Sequence, residues 1–207
     1  MMNCPLCTMQ LSSDISSNKF NHCNTCDLVF RSKGDMISLA EEKMHYEHHQ
    51  NGPQHAGYIN FLNRAIVPIA MHLQAGLGAL DYGCGPGPAL DFILKDYGIE
   101  CDNYDPFFFP DGIKKEQYDF IFATECLEHF HDPREELGNI FGLLGKGGLL
   151  SIMTDMHQGI DCFPDWYYVK DPTHVVFFSM NTMHWIAQCF DLKIVYSDQK
   201  QVVIFQK

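Results

Sequence analysis

The chain has 207 residues, a formal net charge of −12 and 46% apolar residues, enough for one medium domain with a full core plus a small appendage. The charge is uneven: residues 1–34 sum to +1, so residues 35–207 carry −13, which disfavours unaided gripping of nucleic acid. No apolar run approaches the length of a membrane span, and nine cysteines without an export signal point to a reducing, cytoplasmic setting.

At the N-terminus, Cys4-Pro-Leu-Cys7 and Cys23-Asn-Thr-Cys26 form two C-x-x-C knuckles fifteen residues apart. Each can place two thiolates on one metal, and together they complete a tetrahedron, as in a zinc ribbon spanning residues 1–34. The other reading is a set of buried or redox-active thiols, which normally carry a single C-x-x-C near a βαβ unit. A closed Cys4 site leaves no open coordination position, so its Zn2+ is expected to be structural. His22 stands beside Cys23 as a bystander.

Residues 35–75 read as a helical bridge. Ser38 and Glu41 make a capping box that opens a helix running to about Gln50, and Gly52-Pro53 breaks it. A second helix is expected from His55 to about Leu73, kinked at Pro68. His45, His48, His49 and His55 cluster here, and His45 with His49 share a helix face that could hold a metal or simply be a polar surface.

The run Leu80-Asp81-Tyr82-Gly83-Cys84-Gly85-Pro86-Gly87 leads from an apolar strand through alternating glycines into a helix, Ala89–Tyr97, that stops at Gly98. Such a loop brings the backbone close to a ligand and aims N–H groups at it. A dinucleotide fingerprint requires a third glycine where Pro88 stands, so that pattern fails. Ile99–Tyr104 reads as the second strand and ends at Asp105, placed to accept hydrogen bonds from ribose hydroxyls. Its plain alternative is an Asp-Pro turn.

Tyr118–Thr124 is the next strand, followed by Glu125-Cys126-Leu127-Glu128-His129. Asp132-Pro133 starts a helix to Leu144, Gly145–Gly148 turns, and Leu149–Thr154 is a further strand. A long connection, residues 155–179, holds Asp165-Trp166-Tyr167-Tyr168 and Asp171-Pro172-Thr173-His174-Val175, a length that is either functional or a packed Ω-loop. Ser179 caps a last helix, and two strands, Leu192–Ser197 and Val202–Phe205, form a terminal hairpin.

The glycine loop, the acid ending strand two, the E-x-L-E-H segment and the G-G turn, in that order over residues 76–207, resemble the class I S-adenosylmethionine (SAM)-dependent methyltransferases. That resemblance implies an α/β, Rossmann-like three-layer methyltransferase sheet with a terminal antiparallel hairpin. It also implies that Asp81, Gly83, Cys84 and Gly85 surround the methionine part of SAM. Asp105 would hold the ribose, Pro106 and Phe107 would lie near the adenine, and Thr124, Glu125 and Cys126 would line the other side. In many relatives, helices before the glycine loop fold over the cofactor, which makes Tyr46, His49 and Tyr58 lid candidates. One departure is clear: only twelve residues, Pro106–Gln117, separate Asp105 from the next strand, where most members fit a helix and another strand. Asp111-Gly112-Ile113 stands where the adenine-contacting segment usually falls, and an edge strand is expected to be very short or absent.

The run D-P-T-H-V-x-F-F-S, residues 171–179, is similar to one in some zinc-ribbon-bearing bacterial methyltransferases of unassigned substrate. A general base is needed only where the acceptor must lose a proton, and His129, His131 and His174 are the candidates, with His174 preferred. The acceptor expected is a small or carrier-bound molecule, with the oligomeric state left open. A second reading is an RNA or protein methyltransferase that uses the ribbon as reader, since some ribosomal RNA methyltransferases join a zinc module to this fold. A third is a non-catalytic SAM-binding or zinc-ribbon interaction protein.

Overall fold

The structure, a computed structural model, describes residues 2–11, 19–47, 51–161 and 163–207. Two short strands, β1 (Phe20–His22) and β2 (Val29–Arg31), follow the cysteine knuckles. Helix α1 (Leu39–Tyr46) opens on the expected capping box, with Ser38 Oγ accepting from Glu41 N and the Glu41 carboxylate from Ser38 N. Residues 48–50, where the rest of that expected helix and His48 and His49 fall, lie outside the described residues. Helix α2 (Ala56–Ile66) gives way at Val67–His72 to a tighter 3₁₀ segment containing Pro68. Proline has no N–H to continue the α-helical ladder, so the pitch changes instead of the axis merely kinking.

The catalytic-sized body follows as β3 (Gly78–Tyr82), α3 (Leu90–Leu94), β4 (Glu100–Tyr104), β5 (Tyr118–Thr124), α4 (Pro133–Leu143) and β6 (Leu144–Met153). It ends with β7 (Val176–Phe177), α5 (Met180–Cys189), β8 (Lys193–Ser197) and β9 (Val202–Gln206). Six strands form one sheet in the order β4-β3-β5-β6-β9-β8. The β4-β3-β5-β6 pairs are parallel, and β9 runs antiparallel to both β6 and β8. This is the expected mixed sheet with its terminal hairpin. β4 is an edge, because residues 106–117 hold only an isolated bridge between Asp105 and Phe109.

Alternation along the strands divides the core between two faces. Phe120, Phe122, Val202 and Ile204 face α2 and α3, whereas Ile121, Ala123, Val203 and Phe205 face α4 and α5. Both faces are therefore covered, as a parallel sheet requires. The glycine segment Gly145–Gly148, expected as a turn before a strand, is instead a wide bulge inside β6. Its register against β5 jumps from Tyr118↔Leu144 to Phe120↔Leu149. The positive φ of Gly147 (78°) permits it, and Lys207 Nζ closes it by donating to the carbonyls of Phe141 and Leu144.

The cysteine module joins the body through shared backbone. β7, inside the long connection, pairs with β2 to give a three-stranded sheet β1-β2-β7. Leu6, Leu28 and Phe30 enter the same apolar cluster as α4 and α5. Arg31 is buried, and its guanidinium donates to the carbonyls of Val169, Asp171 and His174 at 3.0–3.3 Å. Asp27 accepts from Ser179 Oγ at 2.6 Å and from Asn181 at 3.1 Å, fastening the second knuckle to the start of α5.

Charge-assisted hydrogen bonds contribute about 1.5–3 kcal/mol each, without full additivity. Arg31→Met should therefore lower the unfolding free energy by about 2–4 kcal/mol. Urea denaturation reads this directly, and a loss below about 0.5 kcal/mol, the size of an ordinary surface substitution, would contradict the anchoring role.

Candidate functional site

At the carboxyl ends of β3, β4 and β5 lies a cleft of about 860 Å3, within the range of small-molecule sites. Gly83, Cys84, Gly85, Asp105, Pro106, Phe107, Thr124, Glu125, Cys126 and His174 all line it. Asp81 does not: it lies beneath the loop, buried on β3. Tyr46 and Tyr58 also line the cleft, from α1 and α2, whereas His49 lies outside the described residues. His45 sits 3.6 Å from Asp171 Oδ2.

The loop's backbone is arranged differently from the expectation of free N–H groups. Gly83 N and Cys84 N both donate to Tyr104 O, at 2.8 and 3.0 Å. Gly85 N donates to Asp105 Oδ2 at 3.1 Å, while Asp105 Oδ1 accepts from the N–H groups of Phe107 and Phe108. These donors are spent on holding β3 to β4. The loop thus offers shape, not an anion cradle. Its glycines serve two purposes. A Cβ on Gly83 (φ 81°) would stand 2.5 Å from Cys126 Cβ, whereas a Cβ on Gly85 (φ 65°) would meet nothing within 4 Å. Gly83 lets β5 approach, and Gly85 leaves room beside the cleft.

The cleft is strongly anionic. Seven carboxylates and neither lysine nor arginine line it among the described residues. Glu125 occupies a left-handed turn (φ 50°) at the end of β5, held by its N–H to Met153 O at 2.7 Å. Burial, then repulsion from Glu128 and Asp155, pushes its carboxyl up to about 9. Burial, with Asp91 and Asp105 nearby, pushes Asp81 up to about 8, and its Oδ1 is buried without a hydrogen-bond partner. Both acids gain from a neighbouring cation.

Along the opposite wall, Glu128 is fully buried. It accepts from Tyr168 OH at 2.5 Å and Thr154 Oγ1 at 2.8 Å. Burial raises this carboxyl above its ordinary value. His174 lies against Tyr168, with ring centroids 4.1 Å apart, and burial lowers its pKa, favouring neutral imidazole. His129 packs against His174 and Tyr46. His131 bonds Glu42 of α1 at 3.1 Å, which raises the imidazole pKa and ties the helix to the wall. Glu42 and Asp171 escaped assignment from sequence, whereas Tyr168 belongs to the aromatic run of the long connection, read there as able to shape an acceptor pocket. Asp171 stood in the quoted D-P-T-H run, but nothing in linear spacing placed it beside residue 31 or 45.

The S-adenosylmethionine implied by the resemblance suits this lining: acids and aromatic rings are the groups that would receive its sulfonium and ammonium. Asp81's orphaned oxygen and the space at Gly85 also fit that group.

The four N-terminal cysteines form a separate centre. Their sulfurs all lie within 4.8 Å of one another and are buried. The two knuckles repeat one geometry: Thr8 N bonds Cys4 O and Asp27 N bonds Cys23 O, with Thr8 and Asp27 both at positive φ. A tetrahedral zinc with bonds of about 2.3 Å needs sulfurs roughly 3.8 Å apart, close to this arrangement. His22 bonds Asp27 at 2.7 Å and is not in the cluster.

A family model described as a methyltransferase domain matches residues 46–197. No curated protein sequence matches the chain. Among solved structures, a SAM-dependent methyltransferase from Archaeoglobus fulgidus is 14% identical, covering 72% of this chain and 94% of its own, with TM-score 0.54. A candidate sarcosine dimethylglycine methyltransferase from Galdieria sulphuraria is 15% identical, covering 72% and 86%, with TM-score 0.56. A candidate methyltransferase from Bacillus halodurans is 13% identical, covering 70% and 98%, with TM-score 0.50.

Replacing each glycine separates the two roles. Gly83→Ala combines left-handed strain with a backbone-proximal clash and should cost about 2–5 kcal/mol. Gly85→Ala should cost only the strain, about 1–2 kcal/mol. Thermal unfolding of both variants checks the order, and equal losses would contradict the Cys126 contact as the difference.

Proposed function

The chain belongs to the methyltransferase-domain family, and from that premise we propose that it moves the methyl group of S-adenosylmethionine to a small or carrier-bound acceptor. The observation that carries the reading is the cleft itself: a glycine loop latched to Asp105, in a pocket of acids with no lysine or arginine among its described lining residues. Phosphate-bearing dinucleotides suit it poorly, because the loop's N–H groups are engaged and the carboxylates repel anions.

When bound, S-adenosylmethionine supplies a methyl group already activated by the sulfonium charge. The chain's task is alignment. Glu125, when ionised, would offer negative charge to a cationic group in the cleft, and Asp81 would add to that field from beneath the loop. Asp105 positions Gly85 and retains one lone pair, on Oδ2, for a ribose hydroxyl. Phe107 and Tyr46, with centroids 6.0 Å apart, form an aromatic wall toward the helical bridge. With no metal on its Nε2, His174, favoured neutral, supplies the base for an acceptor that must lose a proton.

The four-cysteine cluster is proposed to hold one structural zinc. A closed thiolate set supplies folding free energy and no open position for chemistry. A nucleic-acid acceptor is disfavoured, because Arg31, one of three cations in residues 1–34, is buried against the body.

Two outcomes test these assignments. Calorimetry should detect binding of S-adenosylhomocysteine, weakened at least about tenfold in Asp105→Asn, whose amide donors oppose the N–H groups now bound there; a folded, zinc-loaded protein that binds neither S-adenosylmethionine nor S-adenosylhomocysteine contradicts the reading. Elemental analysis should find about one zinc per chain, and a strong chelator should lower the melting temperature. Metal-replete protein without zinc would remove the ribbon assignment.

A further inference from the structure

We propose that Glu128, His129 and His174 form a second metal site, open to the cleft, that takes a divalent cation and offers its free positions to oxygen donors of the acceptor. One ligating atom from each of the three residues lies within 4.8 Å of the others. All three line the cleft.

The hydrogen bonds set the imidazoles for this task. His129 Nδ1 is 3.1 Å from Thr173 O, and His174 Nδ1 is 2.8 Å from Tyr168 O. A carbonyl only accepts, so each Nδ1 carries a proton, which makes Nε2 the ligating nitrogen of each ring. This is the second-shell arrangement that orients metal-binding histidines. Glu128 is oriented likewise. Tyr168 OH and Thr154 Oγ1 each donate to one of its oxygens, which fixes the orientation of the carboxylate. Asp171 Oδ2, 3.9 Å from His174 Nε2, adds a nearby carboxylate.

Geometry and charge agree. Three ligands about 2.1 Å from one cation lie roughly 3.0–3.6 Å apart, so closure on a metal draws the three side chains together. With seven carboxylates and no lysine or arginine among the described lining residues, a divalent ion is the charge the wall lacks. Two imidazoles and a carboxylate suit a first-row divalent metal. Three protein ligands leave coordination positions open, unlike the closed four-cysteine cluster. Glu128 sits three residues after Glu125, at the end of the strand beside the glycine loop, so a chelated hydroxyl or carboxylate oxygen would be held within the same cleft. The role toward the acceptor rests on the methyltransferase reading; the binding of the metal does not.

The test is titration with Mn2+ of the full-length protein carrying one equivalent of zinc, which the four thiolates take first, followed by electron paramagnetic resonance of the free ion. Thiolates are poor Mn2+ ligands, so the cysteine cluster stays silent. About one Mn2+ per chain is expected, with affinity at least tenfold weaker in His129→Asn and in His174→Asn. Asparagine keeps an N–H donor for the backbone carbonyl and lacks Nε2, so loss of binding does not require loss of the local fold. Calorimetry with S-adenosylhomocysteine runs on the same wild-type sample. Protein that binds S-adenosylhomocysteine but leaves Mn2+ free overturns the metal site alone, as does unchanged Mn2+ affinity in both variants. Mn2+ bound without S-adenosylhomocysteine supports the site and overturns the methyltransferase reading.

Discussion

The buried guanidinium of Arg31 governs how the two halves of this molecule meet. Three carbonyls, of Val169, Asp171 and His174, converge on it. Arg31 N adds a bond to Val175 O, while Val175 N bonds Glu128 O on the other side. The chain segment that bears His174 is therefore stretched between β2 and the wall of the cleft. An arginine removed from water needs such partners, and carbonyls in an otherwise irregular segment need a donor. Each solves the other's problem. The cysteine module thus acts on the site through backbone position.

Within the cleft, a second economy of donors applies. The loop between β3 and α3 spends its N–H groups on Tyr104 and Asp105, so its geometry is set before any ligand arrives. Preorganisation of this kind leaves recognition to carboxylates and aromatic rings, a lining matched to a cationic, nucleoside-bearing partner. Helix α1 completes the enclosure through Glu42, which bonds both His131 and Tyr46. The His45–Asp171 pair adds a second polar contact between that helix and the wall.

Much of the architecture was legible in the residues. Ser38, Asp132 and Ser179 each cap the helix they precede, because a short oxygen-bearing side chain before an apolar-periodic run has few other uses. Gly98, at φ 70°, ends α3's extension as its position suggested. The short interval after Asp105 left no room for another strand, and β4 is accordingly an edge. Less legible were segments whose state depends on a distant partner. Residues 155–179 looked like a loop because two residues of strand, Val176 and Phe177, carry no recognisable period; only pairing with β2 makes them one. Gly145–Gly148 looked like a turn, and the registers of β5 and Lys207 make it a bulge.

What the amino-acid order determined by itself is local: the two cysteine knuckles, the helix caps, the glycine loop and the acid that follows it, since each depends on neighbours a few bonds away. The tertiary structure decided which of these meet. It set Asp105's carboxylate to hold Gly85, left Asp81 buried behind the loop, and brought His174 beside Glu128 across forty-six positions of chain. Those outcomes follow from strand register and from burying charged groups with partners, and both are properties of the packed whole.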